Sequence, residues 1–241
     1  MQKVFASRLK ENTFSFFEDD VNHLKNILRM QINDELVCIY EQNKYLTKIV
    51  KLDPLLAEII EPISENTELN GIDVTLYQAV IKPKHFEWIL SKSTELQVSQ
   101  ITPVLFDRSQ KTNLINESRM QTIIQTAAKQ SSRNVIPSLN ELIKSKQLIE
   151  QLNKFDLVIL PFESRQETNL GNILDKFNNV NLSKIAIIIG PEGGFSNEEI
   201  SLLTKLDNVK MVSLTKTILR SETASFYTLS VLMDWLLKRG Y

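Results

Sequence analysis

Hydrophobic positions follow two successive rhythms along the chain. In the first 70 residues they form short β-branched runs: Val4–Ser7, Thr13–Phe16, Leu36–Tyr40, Tyr45–Val50 and Ala57–Ile60, separated by polar turns such as Glu41-Gln42-Asn43. One stretch departs from this. Val21, Leu24, Ile27 and Leu28 are spaced to share a helix face, with Asp19 or Asp20 as the cap. Short strands of this kind pack as a small barrel. The polar stretch Ser64–Gly71 reads as a linker, and the rhythm then changes. Apolar strands at Val74–Val80, Ile101–Phe106, Leu157–Leu160, Ile185–Ile189 and Lys210–Leu214 alternate with amphipathic helices at 83–97, 117–133, 140–153, 169–178, 197–206 and 222–238. That alternation predicts an α/β domain with a parallel sheet covered on both faces. Ile185-Ala186-Ile187-Ile188-Ile189 is apolar on both sides, as a central strand requires. The expected division is residues 1–70, a small N-terminal β-barrel, and 71–241, the parallel-sheet domain.

Composition narrows the function classes. The 241 residues carry a formal net charge of −1, which rules out a generally basic nucleic-acid coat. Charge is nevertheless uneven: residues 52–70 hold five acids and no Lys or Arg, while 82–133 hold eight Lys/Arg against four acids. One face could therefore meet an anionic partner. The single cysteine, Cys38, excludes an intrachain disulfide and a thiolate metal cluster, and its apolar neighbours make it a buried hydrophobe. No metal is expected. The N-terminal residues lack an apolar run of signal-peptide length, and nowhere do about 18 apolar residues follow one another, so a cytoplasmic protein with no membrane partner is expected.

Two loops carry candidate chemistry. The strand ending at Ile189 runs into Gly190-Pro191-Glu192-Gly193-Gly194-Phe195-Ser196, with three of the chain's six glycines in five residues. Glycine lets a backbone approach a ligand closely, and ligands of open α/β sheets bind at the carboxyl ends of strands. Ser196 or Asn197 would cap the next helix. The spacing fits neither the dinucleotide nor the triphosphate glycine motif. The second loop, Leu214-Thr215-Lys216-Thr217-Ile218-Leu219-Arg220, opens into the terminal helix, with Ser221 as cap and Glu222 at its positive end. Each loop alone could be only a tight turn and a capped helix.

Together, Ile-Gly-Pro-Glu-Gly-Gly-Phe and Ile-Leu-Arg-Ser-Glu-Thr-Ala resemble the SPOUT class of methyltransferases. Within it, the chain resembles the bacterial RsmE family, which methylates N3 of a uridine in small-subunit (16S) ribosomal RNA. The likeness runs through Lys82-Pro83-Lys84 to Trp88, Lys92 to Leu96, Ile101-Thr102-Pro103, Arg108, Ala127 to Arg133 and Pro137. His23-Leu24 and Ile27-Leu28-Arg29 match the family's PUA-like N-terminal domain. Four positions depart. The family usually has glycine where this chain has Gln97, Ser132 and Thr215, and basic residues are common in it at the position of Thr217.

The resemblance implies a trefoil-knotted C-terminal domain, a PUA-like RNA-binding barrel, and a homodimer, for which the broadly apolar terminal helix is a reasonable interface. It also implies S-adenosylmethionine as methyl donor, held by Leu160, Gly190, Pro191, Glu192, Gly193, Gly194, Leu214, Thr215, Ile218, Leu219 and Arg220. Methylating uridine N3 requires loss of its proton, through a positioned base or through cations that stabilise charge on O2 and O4. His23 and His85 have no clustered partner in the sequence, and His85 is expected on a helix surface. Arg133, from its own or the partner subunit, and Arg220 are therefore expected to hold the uridine, with Glu222 orienting Arg220 or accepting the proton. Arg8, Arg29, Lys82, Lys84, Arg108 and Lys111 are expected to contact phosphates of the small-subunit RNA. Two other classes stay open: a non-catalytic RNA-binding protein that retains a donor pocket, and a nucleotide-binding α/β enzyme.

Overall fold

The computed structural model describes residues 1–41, 43–63, 68–110, 116–163 and 168–241. Two compact units emerge: Met1–Thr67 with Lys129–Val135, and Glu68–Ala128 with Ile136–Tyr241.

In the first unit, β1 (Lys3–Lys10), β2 (Thr13–Phe16), β3 (Glu35–Tyr40), β4 (Asn43–Leu52) and β5 (Leu55–Ile63) close into a barrel in the order β1-β2-β5-β4-β3. Its pairings are antiparallel except for β1 against β3, which closes it in parallel. Alternation along each strand sends Phe14, Leu36, Ile49 and Ala57 inward, where all are fully buried. Cys38 is buried there too, beside the Thr47 hydroxyl, and burial pushes its thiol up to about 12. It stays protonated and inert.

The helix of this unit differs from expectation. α1 (Glu18–Asn22) begins after Phe17, without a side-chain cap, and runs into one π-turn at His23–Ile27. Asp20 does not cap it because its carboxylate is held by Lys129 Nζ at 2.7 Å. The π-turn resets the register, so Leu24 is buried while Ile27 and Leu28 face solvent.

In the second unit, β6 (Asp73–Ala79), β7 (Gln100–Leu105), β8 (Ser138–Leu139), β10 (Leu157–Pro161), β11 (Lys184–Ile189) and β12 (Val209–Val212) form a parallel sheet in the order β12-β10-β11-β6-β7-β8, and β9 (Ile143–Lys144) also pairs with β7. Period-two alternation splits its side chains into two cores. Leu76, Ile159, Ile185 and Ile187 pack with α2 (Pro83–Glu95), α3 (Glu117–Gln130), α5 (Leu170–Asp175) and α7 (Ser221–Lys238). Tyr77, Val158, Leu160, Ala186 and Ile188 pack with α4 (Ser145–Gln151) and α6 (Asn197–Leu203).

The helix expected at 140–153 starts only at Ser145. Residues before it extend the sheet instead, because Asn140 donates its backbone N–H to Ile101 O and its side chain to Thr102, satisfying the open edge of β7.

The order of the last strands matters most. From β11 the chain crosses β10 to lay down β12, then returns so that Ser221 meets Gly190 and Gln78 of β6. That return past the ends of β10 and β11 agrees with the knotted connectivity that the resemblance implies.

Two departures from the family's glycines fall in left-handed backbone: Gln97 (φ 61) and Ser132 (φ 56). An L-residue is strained there by about 1–2 kcal/mol. Gln97→Gly is accordingly expected to raise the unfolding free energy by up to about 1 kcal/mol, measurable by urea titration.

Candidate active site

Because β10, β11 and β12 are parallel neighbours, the segments leaving their carboxyl ends emerge side by side. Direct bonds stitch these segments together. Ser213 donates its backbone N–H to Thr168 O, Asn169 bridges to Ser213, and Phe162 N donates to Val212 O. On the other flank, Ser221 Oγ donates to Gly190 O at 2.8 Å and accepts from Gln78 Nε2 at 3.0 Å. Ser221 is thus not the cap of α7; Arg220 occupies that position, and the serine hydroxyl is spent on the glycine loop.

The glycine loop is shaped from beneath. A Cβ on Gly190 would meet the Phe195 ring at 2.8 Å, and Phe195 is buried edge-on against Phe106. A Cβ on Gly193 would lie 3.0 Å from Arg108 O, and Arg108 also reaches Gly193 O through its guanidinium. Gly194 adopts φ +68. Ser196 caps α6, in a reciprocal pair with Glu199 that also receives Asp107 N–H. This fixes the loop's exit. Glu192 accepts from Gln110.

The expected donor residues fall into different settings. Gly190, Gly193, Gly194, Leu214 and Leu219 are partly or fully exposed, Pro191 is buried, and Ile218 is 73% exposed. Leu160 is fully buried and presents no surface to a ligand, because its strand is apolar on both faces and this residue belongs to the core that also holds Phe195 and Phe155. Thr215, where the family has glycine, has ordinary backbone and donates its hydroxyl to Thr217 O at 2.6 Å, bracing the loop locally.

The charged residues also separate. Arg220 is exposed at the end of the second loop. Glu222 is 6% exposed and does not pair with Arg220: its Oε1 is bound by His85 Nδ1 at 2.9 Å. His85 is therefore not a bare helix-surface residue. Arg133 is 5% exposed, within the first unit. Arg8 and Arg29 are exposed in the first unit, Lys82, Lys84 and Arg108 in the second, and Lys111 lies outside the described residues. Among the described residues there is no cluster able to hold a metal ion, and no helix is long and apolar enough to cross a membrane.

Residues 67–233 match the RNA methyltransferase domain family, and residues 18–61 match the RNA methyltransferase PUA domain. The ribosomal RNA small subunit methyltransferase E of Mesomycoplasma hyopneumoniae is 35% identical, over 95% of this chain and 98% of that protein. This chain belongs to the small subunit methyltransferase E family. The Bacillus subtilis member is 30% identical, over 96% of both chains. A putative methyltransferase of Legionella pneumophila, solved in complex with bound S-adenosylmethionine, superimposes with a TM-score of 0.76 over 96% of both chains at 26% identity. Family membership gives the stitched loops their meaning: they are the part of the domain where the resemblance located the donor.

Proposed function

We propose that the protein is an S-adenosylmethionine-dependent methyltransferase that methylates N3 of a uridine in small-subunit (16S) ribosomal RNA, acting in the cytoplasm as a homodimer. The observation that carries this reading is the mutual locking of Gly190 to Ser221 and of Thr168–Asn169 to Ser213 at the ends of adjacent parallel strands. In it, backbone groups of Gly190–Gly194 and Leu214–Arg220 hold the polar edges of the donor, and Ile218 and Leu219 cover its apolar faces. Leu160 supports the floor from within the core. When bound, S-adenosylmethionine supplies an electrophilic methyl on sulfonium.

The chain's own residues hold the turned-out uracil in line with that methyl and stabilise the negative charge that develops on O2 and O4 as the N3 proton passes to solvent. Of the two candidate cations, Arg220 is better presented, being exposed at the end of the donor loop while Arg133 is 5% exposed. Arg8, Arg29, Lys82, Lys84 and Arg108 supply phosphate contacts that position the RNA without reading its sequence. The homodimer is supported by apolar surface on α2 and α7: Trp88, Tyr227 and Leu237 are 48%, 39% and 62% exposed.

Calorimetry tests the donor site. Titration with S-adenosylmethionine is expected to saturate at one molecule per chain, and titration with ATP to give no binding heat. Saturation by ATP and silence with S-adenosylmethionine would favour a nucleotide-using enzyme.

A further inference from the structure

Glu222 sits in the first turn of α7, directly after the donor loop, with its side chain 8% exposed. One carboxylate oxygen accepts from His85 Nδ1; the other, Oε2, is buried with no hydrogen-bond partner among the described residues. A carboxylate only accepts, so His85 donates, which fixes both the ring's tautomer and the side chain of Glu222. A glutamate serving stability alone would be poorly placed here, since its unpartnered buried oxygen opposes folding. Such a cost is typical of a site held for another purpose.

His85 itself stands in the first turn of α2, at the carboxyl edge of the sheet beside β6, and its side chain is 35% exposed. Its bond to Glu222 joins two further ties at the same helix start, Gln78 to Ser221 and Ser221 to Gly190. All three converge on the residues immediately after Arg220. Arg220 makes no side-chain cap bond and is exposed, so the backbone of this helix start sets the point and the Cα–Cβ direction from which its guanidinium reaches out.

We propose that His85 is a positioning residue for methyl transfer: by holding Glu222 it fixes the first turn of α7, and through it the direction in which Arg220 meets the uracil. This rests on the reading of Arg220 given above. Misplacing a catalytic group by about an ångström costs on the order of a hundredfold in rate.

The test uses the full chain, S-adenosylmethionine and small ribosomal subunits lacking the methyl group. His85→Ala is expected to lower kcat about ten- to a hundredfold, with KM for the subunits and the donor Kd nearly unchanged. His85→Lys, whose ammonium can donate to the same carboxylate, is expected to restore turnover to within about threefold of the unsubstituted protein. The double variant His85→Ala/Arg220→Ala is expected to be no slower than Arg220→Ala alone, because both substitutions remove one device. The proposal is overturned if His85→Ala keeps kcat, if the folded Lys variant fails to recover it, or if the two defects multiply. If the unsubstituted protein transfers no methyl group to the subunits, the functional reading itself has failed, and that result is distinct from any of these.

Discussion

Arg220→Ala is expected to lower the turnover of methyl transfer to small-subunit RNA by about a hundred- to a thousandfold, the range seen when a donor aimed at developing negative charge is removed. Uracil N3 is protonated at neutral pH, so it must lose that proton to solvent before or as it attacks the methyl group, and a cation is needed to stabilise the negative charge on O2 and O4 until the methyl group arrives. Arg220 is exposed where the donor loop enters α7, and among the described residues no carboxylate is paired with it, since Glu222 is taken by His85. Its charge is therefore available to a substrate rather than neutralised within the protein. Donor binding should change little, because the loop's shape depends on Ser221, Gly190 and Thr215 rather than on the guanidinium. Single-turnover assays with saturating donor would read the defect, and calorimetry would confirm that S-adenosylmethionine still binds. Near-normal turnover would remove Arg220 from the chemistry.

Gly190→Ala should act on the other component, the donor itself. The added methyl would lie 2.8 Å from the Phe195 ring. That ring cannot simply turn away: it is buried, edge-on to Phe106 at 5.1 Å and tilted against Phe162 at 6.4 Å. Either the aromatic cluster shifts or the glycine loop lifts, and the Ser221–Gly190 tie is disturbed in both cases. Overpacking of this kind costs about 1–3 kcal/mol of stability. A loop displaced from its ligand should weaken donor binding about tenfold or more, the equivalent of about 1.4 kcal/mol. Thermal unfolding and calorimetry on the same preparation separate the two effects. Unchanged donor affinity would show that the loop's backbone does not line the site.

Much of the architecture was legible because it follows from periodicity. Alternating residues drew the barrel, and the doubly apolar run at Ile185–Ile189 marked the central strand, which indeed lies between β10 and β6. What sequence spacing could not reveal were choices settled by distant partners. Asp20 reads as a cap until Lys129, 109 residues away, is seen to hold it. Residues 140–144 read as helix until the open edge of β7 takes up their backbone. Leu160 reads as pocket wall because a strand apolar on both faces does not declare which face meets the ligand. The same limit hid His85. It had no clustered partner along the chain, yet folding brings it 2.9 Å from Glu222, 137 residues away. The knot, too, lay outside periodicity and followed from the two loops only through their family resemblance.

Those residue-level expectations all depend on one claim, that this chain puts a methyl group on N3 of a uridine in small-subunit RNA. Mass spectrometry of nuclease-digested small-subunit RNA from cells lacking the protein tests it most directly. One N3-methyluridine is expected to be missing, and purified protein with S-adenosylmethionine is expected to restore it on isolated subunits. A full complement of N3-methyluridine in the deleted cells, or a different nucleoside restored by the protein, would contradict it.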